Sequence, residues 1–235
     1  MALWRFGRGW PEPVLKSYLK ALAHSPVNFK VQPEAMTAEN GWTIDGSQAH
    51  MGTERHGPPT DNGLFMRAKQ AIINYDFSDP HVVVGHFDPR VPLQGRPMLL
   101  EIKVLGLHFL GAVRVQQTRD ESNDHETVFG FRYDTLRGHI ESGVEWFLLT
   151  KNHQTGEVSF RIEAHWRMGH FPNWWSRFGF KILGEHYRAY WRRRAAARLI
   201  RLAHQPVEKA VATPGHLAHR GDSTPQRTEP VADGA

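Results

Sequence analysis

The sequence predicts an α+β domain in which an antiparallel sheet is covered by one long C-terminal helix. Two observations carry that prediction. From Val158 to Arg167, Val158, Phe160, Ile162, Ala164 and Trp166 alternate strictly with Ser159, Arg161, Glu163, His165 and Arg167, the period-two pattern of a strand with one dry and one wet face. From Pro172 to about His204 there is no internal proline, and Trp174, Phe178, Ile182, Ala189, Ala196, Leu199, Ile200 and Ala203 form a helical stripe. Leu183, Tyr187, Tyr190 and Trp191 widen that stripe. A helix this long can lie across a whole sheet.

The elements before them follow in order. Val14, Leu15, Tyr18, Leu19 and Leu22 have helical spacing after early prolines, which predicts a short helix over Pro13 to Ala23. Phe29 to Met51 mixes β-prone pieces with turn residues, and Asp45-Gly46 reads as a hairpin signal. A loop from His56 to Gly63 precedes a second helix with Phe65, Ala68, Ile72 and Ile73 on one face. Strands are then expected from Val82 to Phe87, around Met98 to Val104, over Thr127 to Tyr133, and around Val144 to Leu149. Gly106 and Gly111 are expected to bend or bulge the continuation of the second of these.

The chain has 235 residues, of which 40% are hydrophobic, including 13 Phe and 8 Trp. That suffices for one core without a staple, against a prior of ~150 residues per domain. The expected organisation is an arm over 1–10, a single domain over 11–204 and a disordered tail over 205–235, the tail being rich in Pro, Gly, Thr and His. The absence of cysteine excludes disulfides, thiolate zinc sites and a cysteine nucleophile. With no secretion signal and no apolar run near the ~20 residues of a membrane span, a cytoplasmic location is expected. The net charge of +5 is a modest excess.

The stretch Phe129 to Glu145 resembles the signature of domain-of-unknown-function family nineteen-ninety, which usually reads G-F-x-Y-G-T-L-P-G-H-x-x-x-G-E-x-x-F. Gly130, Phe131, Tyr133, Thr135, Leu136, Gly138, His139, Gly143 and Phe147 match, while Asp134 replaces the usual Gly and Arg137 the usual Pro. Val104 to Leu107 and Phe65 to Ala68 also fit, and Ala112 stands where a Cys is common. The similarity extends discontinuously over most of Pro11 to Ala203. It implies a START-like helix-grip fold, in which a curved antiparallel sheet wraps a long C-terminal helix around a cavity. It implies no established activity.

Candidate sites follow from residue chemistry. Phe129, Phe131, Trp146, Phe160 and Trp166, facing Phe178, Ile182 and Tyr187, would suit a small hydrophobic or amphipathic ligand; the alternative is a filled core. Tyr133, Thr135, His139 and Glu141 place a phenol, a hydroxyl, an imidazole and a carboxylate in one segment. His139 with Glu141 could transfer protons at a cavity mouth, or Thr135 and His139 could simply hold a turn. Glu145 is expected on the charged face with Arg161 and Glu163, in a cross-strand ion pair.

Arg188, Arg192, Arg193, Arg194, Arg198 and Arg201 could meet the phosphates of an anionic membrane surface or of a nucleic acid, or could cover apolar surface and pair with acidic neighbours. A nucleic-acid partner is not expected, because no recognised motif accompanies them. None of the 15 histidines stands in a metal-binding spacing, and no phosphate loop or dinucleotide fingerprint occurs, so neither metal nor cofactor is expected.

Overall fold

A computed structural model describes residues 3–169 and 174–205, without the side chains of 174–183 and 185. The strands are β1 (Leu3–Phe6), β2 (Thr43–Thr53), β3 (Val83–His86), β4 (Pro97–Val104), β5 (Leu107–Ser122), β6 (Glu126–Thr135), β7 (Glu141–Asn152) and β8 (Glu157–Met168). The helices are α1 (Glu12–Ala21), α2 (Leu64–Ile73) and α3 (Trp174–His204). All strand pairs are antiparallel, in the order β2-β8-β7-β6-β5-β4-β3, and β1 adds to the first residues of β5. A register shift between Val115 and Gln117 marks a bulge where β5 pairs with β6, a device that bends and twists a sheet.

Register fixes which side chains share a face. On the concave side, Phe129, Phe131 and Tyr133 stand opposite Leu149, Phe147 and Glu145, which in turn oppose Phe160, Ile162 and Ala164. The main core joins these to α2 through Phe65, Ala68 and Ile72 and to α3 through Trp191, Ala195, Leu199 and Ala203. Of the expected α3 stripe, Trp191, Leu199 and Ala203 are buried and Tyr187 and Ile200 pack against the core, with departures before Trp191. Ala189 is exposed, and Arg188 and Arg192 point inward with Trp191. At the far end of β7, an inward Lys151 is fully buried and pairs with Glu54 at 2.6 Å.

Two expectations are corrected here. Asp45-Gly46 is not a hairpin; β2 runs straight through it, and Gly46 admits the backbone of β8 so closely that a Cβ would stand 2.5 Å from Ile162 O. Nor is the convex face simply wet. Leu15 and Leu22 of the N-terminal segment cover Leu99, Leu110, Ala112 and Leu136, and Phe29, Met36 and Trp42 cover Val144. The alternation of Leu99 with Leu100 already left an apolar side chain on each face of β4, so both faces needed a cover.

The expected bend at Gly106 is a two-residue turn joining β4 to β5, with Leu105 at φ 49 and Gly106 at φ 78. Residues 206–235, which carry the expected tail, lie outside the described residues.

Candidate functional site

The segment between β6 and β7 is built as a braced turn. Thr135 Oγ1 accepts from the Gly143 N–H at 2.8 Å and lies 2.6 Å from Asn28 Oδ1, while Asn28 Nδ2 donates to Glu141 O at 2.7 Å. His139 is buried, and its Nδ1 accepts from the Glu141 N–H at 3.0 Å. That acceptor role places the proton of the neutral ring on Nε2. The ring meets β5 at Gly111 with its Nε2–Cδ2 edge, where a Cβ would stand 2.5 Å from Nε2, so only glycine makes room. Burial pushes the His139 pKa down to about 4, and the ring stays neutral near physiological pH. The carboxylate of Glu141 turns away to Arg188. His139 thus meets the backbone of Glu141 and not its carboxylate.

The ionisable groups that the fold does bring together lie on the concave face. Tyr133 of β6 donates to Glu145 Oε2 directly across the strand pair. Arg192 grips Asp45 with both terminal nitrogens, at 2.5 and 3.0 Å. One turn earlier on α3, Arg188 pairs with Glu141, reaches to 3.6 Å from Asp45, and lies with its guanidinium carbon 3.3 Å from the centre of the Trp166 ring. Tyr75, just after α2, is fully within the core, and its hydroxyl makes no hydrogen bond of normal geometry.

Electrostatics orders this cluster. Burial raises Glu145 to about 7, with the nearby Glu141 charge adding to the rise and the Tyr133 hydrogen bond opposing it. Burial raises Glu141 as well, against the pull of Arg188. Asp45 goes the other way: the bonds from Arg192 outweigh its burial and lower it. Burial also drives Tyr133 and Tyr75 well above the ordinary phenol value. Three carboxyl groups face two guanidinium groups, so a proton on Glu145 brings the set to neutrality, which is what a low-dielectric setting favours.

The aromatic residues divide. Phe129, Phe131, Phe160 and Trp166 are on the concave face and buried. Around Phe147 they pack ring against ring: Phe77 and Phe131 at 5.0 Å, Tyr133 at 5.3 Å, and Trp191 at 6.3 Å. That end of the interior is a filled core. Trp146 is corrected: it stands opposite Arg132 and Glu163 on the other face, half-buried beneath the Arg132 guanidinium. Glu145 is corrected with it, since the two share a strand and alternate. Tyr187 lies at the rim of β3 and β4, with its hydroxyl 2.7 Å from Val82 O and 2.9 Å from Lys103 O. The side chains of Phe178 and Ile182 lie outside the described residues.

The arginines of α3 are mostly engaged within the chain. Besides Arg188 and Arg192, Arg194 pairs with Asp79 and Arg198 donates to Asp76 O at 2.6 Å, while Arg193 and Arg201 are exposed. Among the described residues no three His, Asp or Glu converge as metal ligands, and no helix is long and apolar enough to cross a membrane. On the convex face a separate polar cluster forms where Glu101, buried, bonds His86 Nε2 at 2.9 Å and His108 Nδ1 at 2.6 Å.

A family model described as "Domain of unknown function (DUF1990)" matches residues 30–198. A "UPF0548 protein" of Deinococcus radiodurans is 30% identical over 160 residues, spanning 63% of this chain and 77% of that relative. Among solved structures, hypothetical protein jhp0584 from Helicobacter pylori is similar with a TM-score of 0.44 at 11% identity, covering 76% of this chain and 98% of its own. The crystal structure of Ara h 8.0201 is similar with a TM-score of 0.38 at 8% identity, covering 68% of this chain and 99% of its own. Neither likeness says what this chain binds.

Proposed function

This chain belongs to the DUF1990 family, and we propose that it holds a small amphipathic molecule between the concave sheet face and the first half of α3, in the cytoplasm. The reading rests on one observation: Tyr133, Glu145, Glu141 and Arg188 are gathered on the covered face of the sheet, where a domain built only for stability is served as well by apolar side chains. With Glu145 protonated the cluster is neutral and offers a carboxyl group and the Tyr75 phenol to a hydroxyl or carbonyl group. The apolar part of the ligand would lie along Trp166, beside Arg188 of α3 and away from the filled end around Phe147. Residues 11–204 form the binding unit in this proposal, with 1–10 and 205–235 as appendages.

Native mass spectrometry of gently purified protein, with solvent extraction of what it carries, tests the reading. A retained small molecule that is lost on Glu145→Gln or Tyr133→Phe, in proteins that remain folded, is the expected result. Protein that carries no molecule, or variants that keep it unchanged, would sink the proposal.

A catalytic reading is favoured by a different residue from the one the sequence singled out. Proton transfer near neutral pH needs a carboxyl near 7 within a hydrogen bond of another acid, which describes Glu145 with Tyr133 and not His139 with Glu141. If the extracted molecule is turned over, the activity should vanish in Glu145→Gln and survive His139→Asn; the reverse pattern would reject this assignment.

A further inference from the structure

Leu105 occupies the first central position of the two-residue turn between β4 and β5, with φ 49, and Gly106 follows at φ 78. Both central residues of such a turn need the left-handed region, which Asn, Asp and Gly enter readily and a leucine does not. Leu105 gains nothing from the fold in return, for it is 82% exposed. Beside it stand Phe6, 73% exposed with its ring over Gly106, and Trp4, 57% exposed, both carried by β1 on the same side of the sheet. Three large apolar side chains therefore project together from one tip, at a position where a polar residue would suit the turn better.

The charge around the tip has one sign. The segments that make it, Leu3 to Trp10 and Ile102 to Leu110, carry Arg5, Arg8 and Lys103 and no carboxylate. The acid nearest to the Leu105–Gly106 turn along the chain, Glu101, is buried and occupied by His86 and His108. Tryptophan, phenylalanine and leucine at a convex tip with a basic surround match the boundary of an anionic bilayer, where apolar side chains enter the acyl region and cations stay with the headgroups. A groove for a peptide would be concave, and this tip projects.

We propose that the tip formed by Trp4, Phe6 and Leu105 is a membrane-docking surface that inserts into the interface of anionic lipid. The proposal does not depend on the ligand reading above. It also differs from binding through the arginines of α3, four of which are engaged within the chain.

Co-sedimentation of the full chain with vesicles of equimolar phosphatidylcholine and phosphatidylserine tests it. The expected result is binding that weakens about tenfold in Leu105→Asn and in Phe6→Ser, the loss of one buried apolar side chain each. Leu105→Asn is the informative variant, since Asn suits the turn and its melting temperature should equal or exceed that of the wild type. Binding should also fade as salt is raised. No sedimentation with these vesicles at low salt overturns the proposal, as does undiminished binding by both variants. A dimer in solution that Leu105→Asn dissolves would equally overturn it, by assigning the tip to a second copy of the chain.

Discussion

Tyr133 and Glu145 face each other across the β6–β7 pair, and the phenol donates to the carboxyl group inside the covered face of the sheet. Asp45, Glu141, Arg188, Arg192 and Tyr75 surround the pair. Their arrangement makes Glu145 a group whose protonation is tied to folding.

Glu145 has a folded pKa of about 7 against an ordinary 4.5. The folded chain therefore holds this proton more tightly than the unfolded chain. Between those two values the native state carries the proton and the unfolded state does not, so stability falls as pH rises from about 4.5 to about 7 and stays low above it. The whole step corresponds to about 3 kcal/mol. Glu145→Gln removes it, so urea unfolding should show the variant equal to the wild type near the lower end of that window and about 2–3 kcal/mol more stable above its upper end. Parallel stability curves for the two proteins would refute the assignment.

Glu101 has the opposite sign. Burial alone would raise it, but hydrogen bonds from His86 and His108 overcome burial and hold it at about 2. Its contribution is present above the ordinary value of 4.5 and is lost as pH falls toward 2. Allowing for solvent screening, Glu101→Gln should cost about 2 kcal/mol at neutral pH and almost nothing in acid, by denaturant unfolding. The same variant should loosen the N-terminal segment, because Trp10 donates its indole N–H to His108 O at 3.1 Å. Hydrogen exchange at α1 that is unchanged in the variant would detach the two.

How much of this was legible in the sequence depends on which segments carry a phase. In β8 only one parity is apolar, so Phe160 and Trp166 could be placed on the covered face without coordinates. In β7 both parities are apolar from Val144 to Leu149 except at Glu145, and a lone acid reads as the wet side. Only pairing with Tyr133 and Ala164 settles that it points inward, and with it Trp146 outward. Pairing of the α3 arginines with acidic neighbours was legible, but the inward direction of Arg188 and Arg192 was not, since a charged residue is assigned to the solvent face of a helix. Their spacing of four, continued by Ala195 and Leu199, was the one signal that could have placed them. Asp45 failed for another reason: a local turn signal was overridden by the long pairing of β2 with β8.

His139 was legible as a turn residue, and its energetics can be checked separately. Its burial lowers the pKa to about 4 against 6.5, so the unfolded chain takes the proton first as pH falls. Stability conferred by the neutral ring is present above about 6.5 and is lost progressively down to about 4. His139→Phe removes this acid sensitivity and leaves the Glu141 N–H without its acceptor, at a cost of about 1–3 kcal/mol near neutral pH. Thermal unfolding at several pH values reads both effects, and a variant that keeps the wild-type acid sensitivity would show that His139 is not its source.

Arg192 and Asp45 join α3 to the edge strand of the sheet, and they can be tested as a pair. The Asp45 carboxylate is only partly exposed and accepts from both terminal nitrogens of Arg192. Removing the cation alone leaves a carboxylate with only the more distant Arg188 and the Trp166 side chain to offset its burial, whereas removing both charges leaves no stranded charge. Arg192→Met should therefore cost about 2–4 kcal/mol, and Asp45→Asn with Arg192→Met should recover about half of it. The coupling matters beyond stability, because Arg188, one turn away, also reaches Asp45 and holds Glu141. If the pair clamps α3 over the concave face, Arg192→Met should speed hydrogen exchange in β2 and in α3 before Trp191 while leaving the Leu199 end protected. Additive single and double variants would show that the two residues stabilise the fold independently, and would take away the clamp.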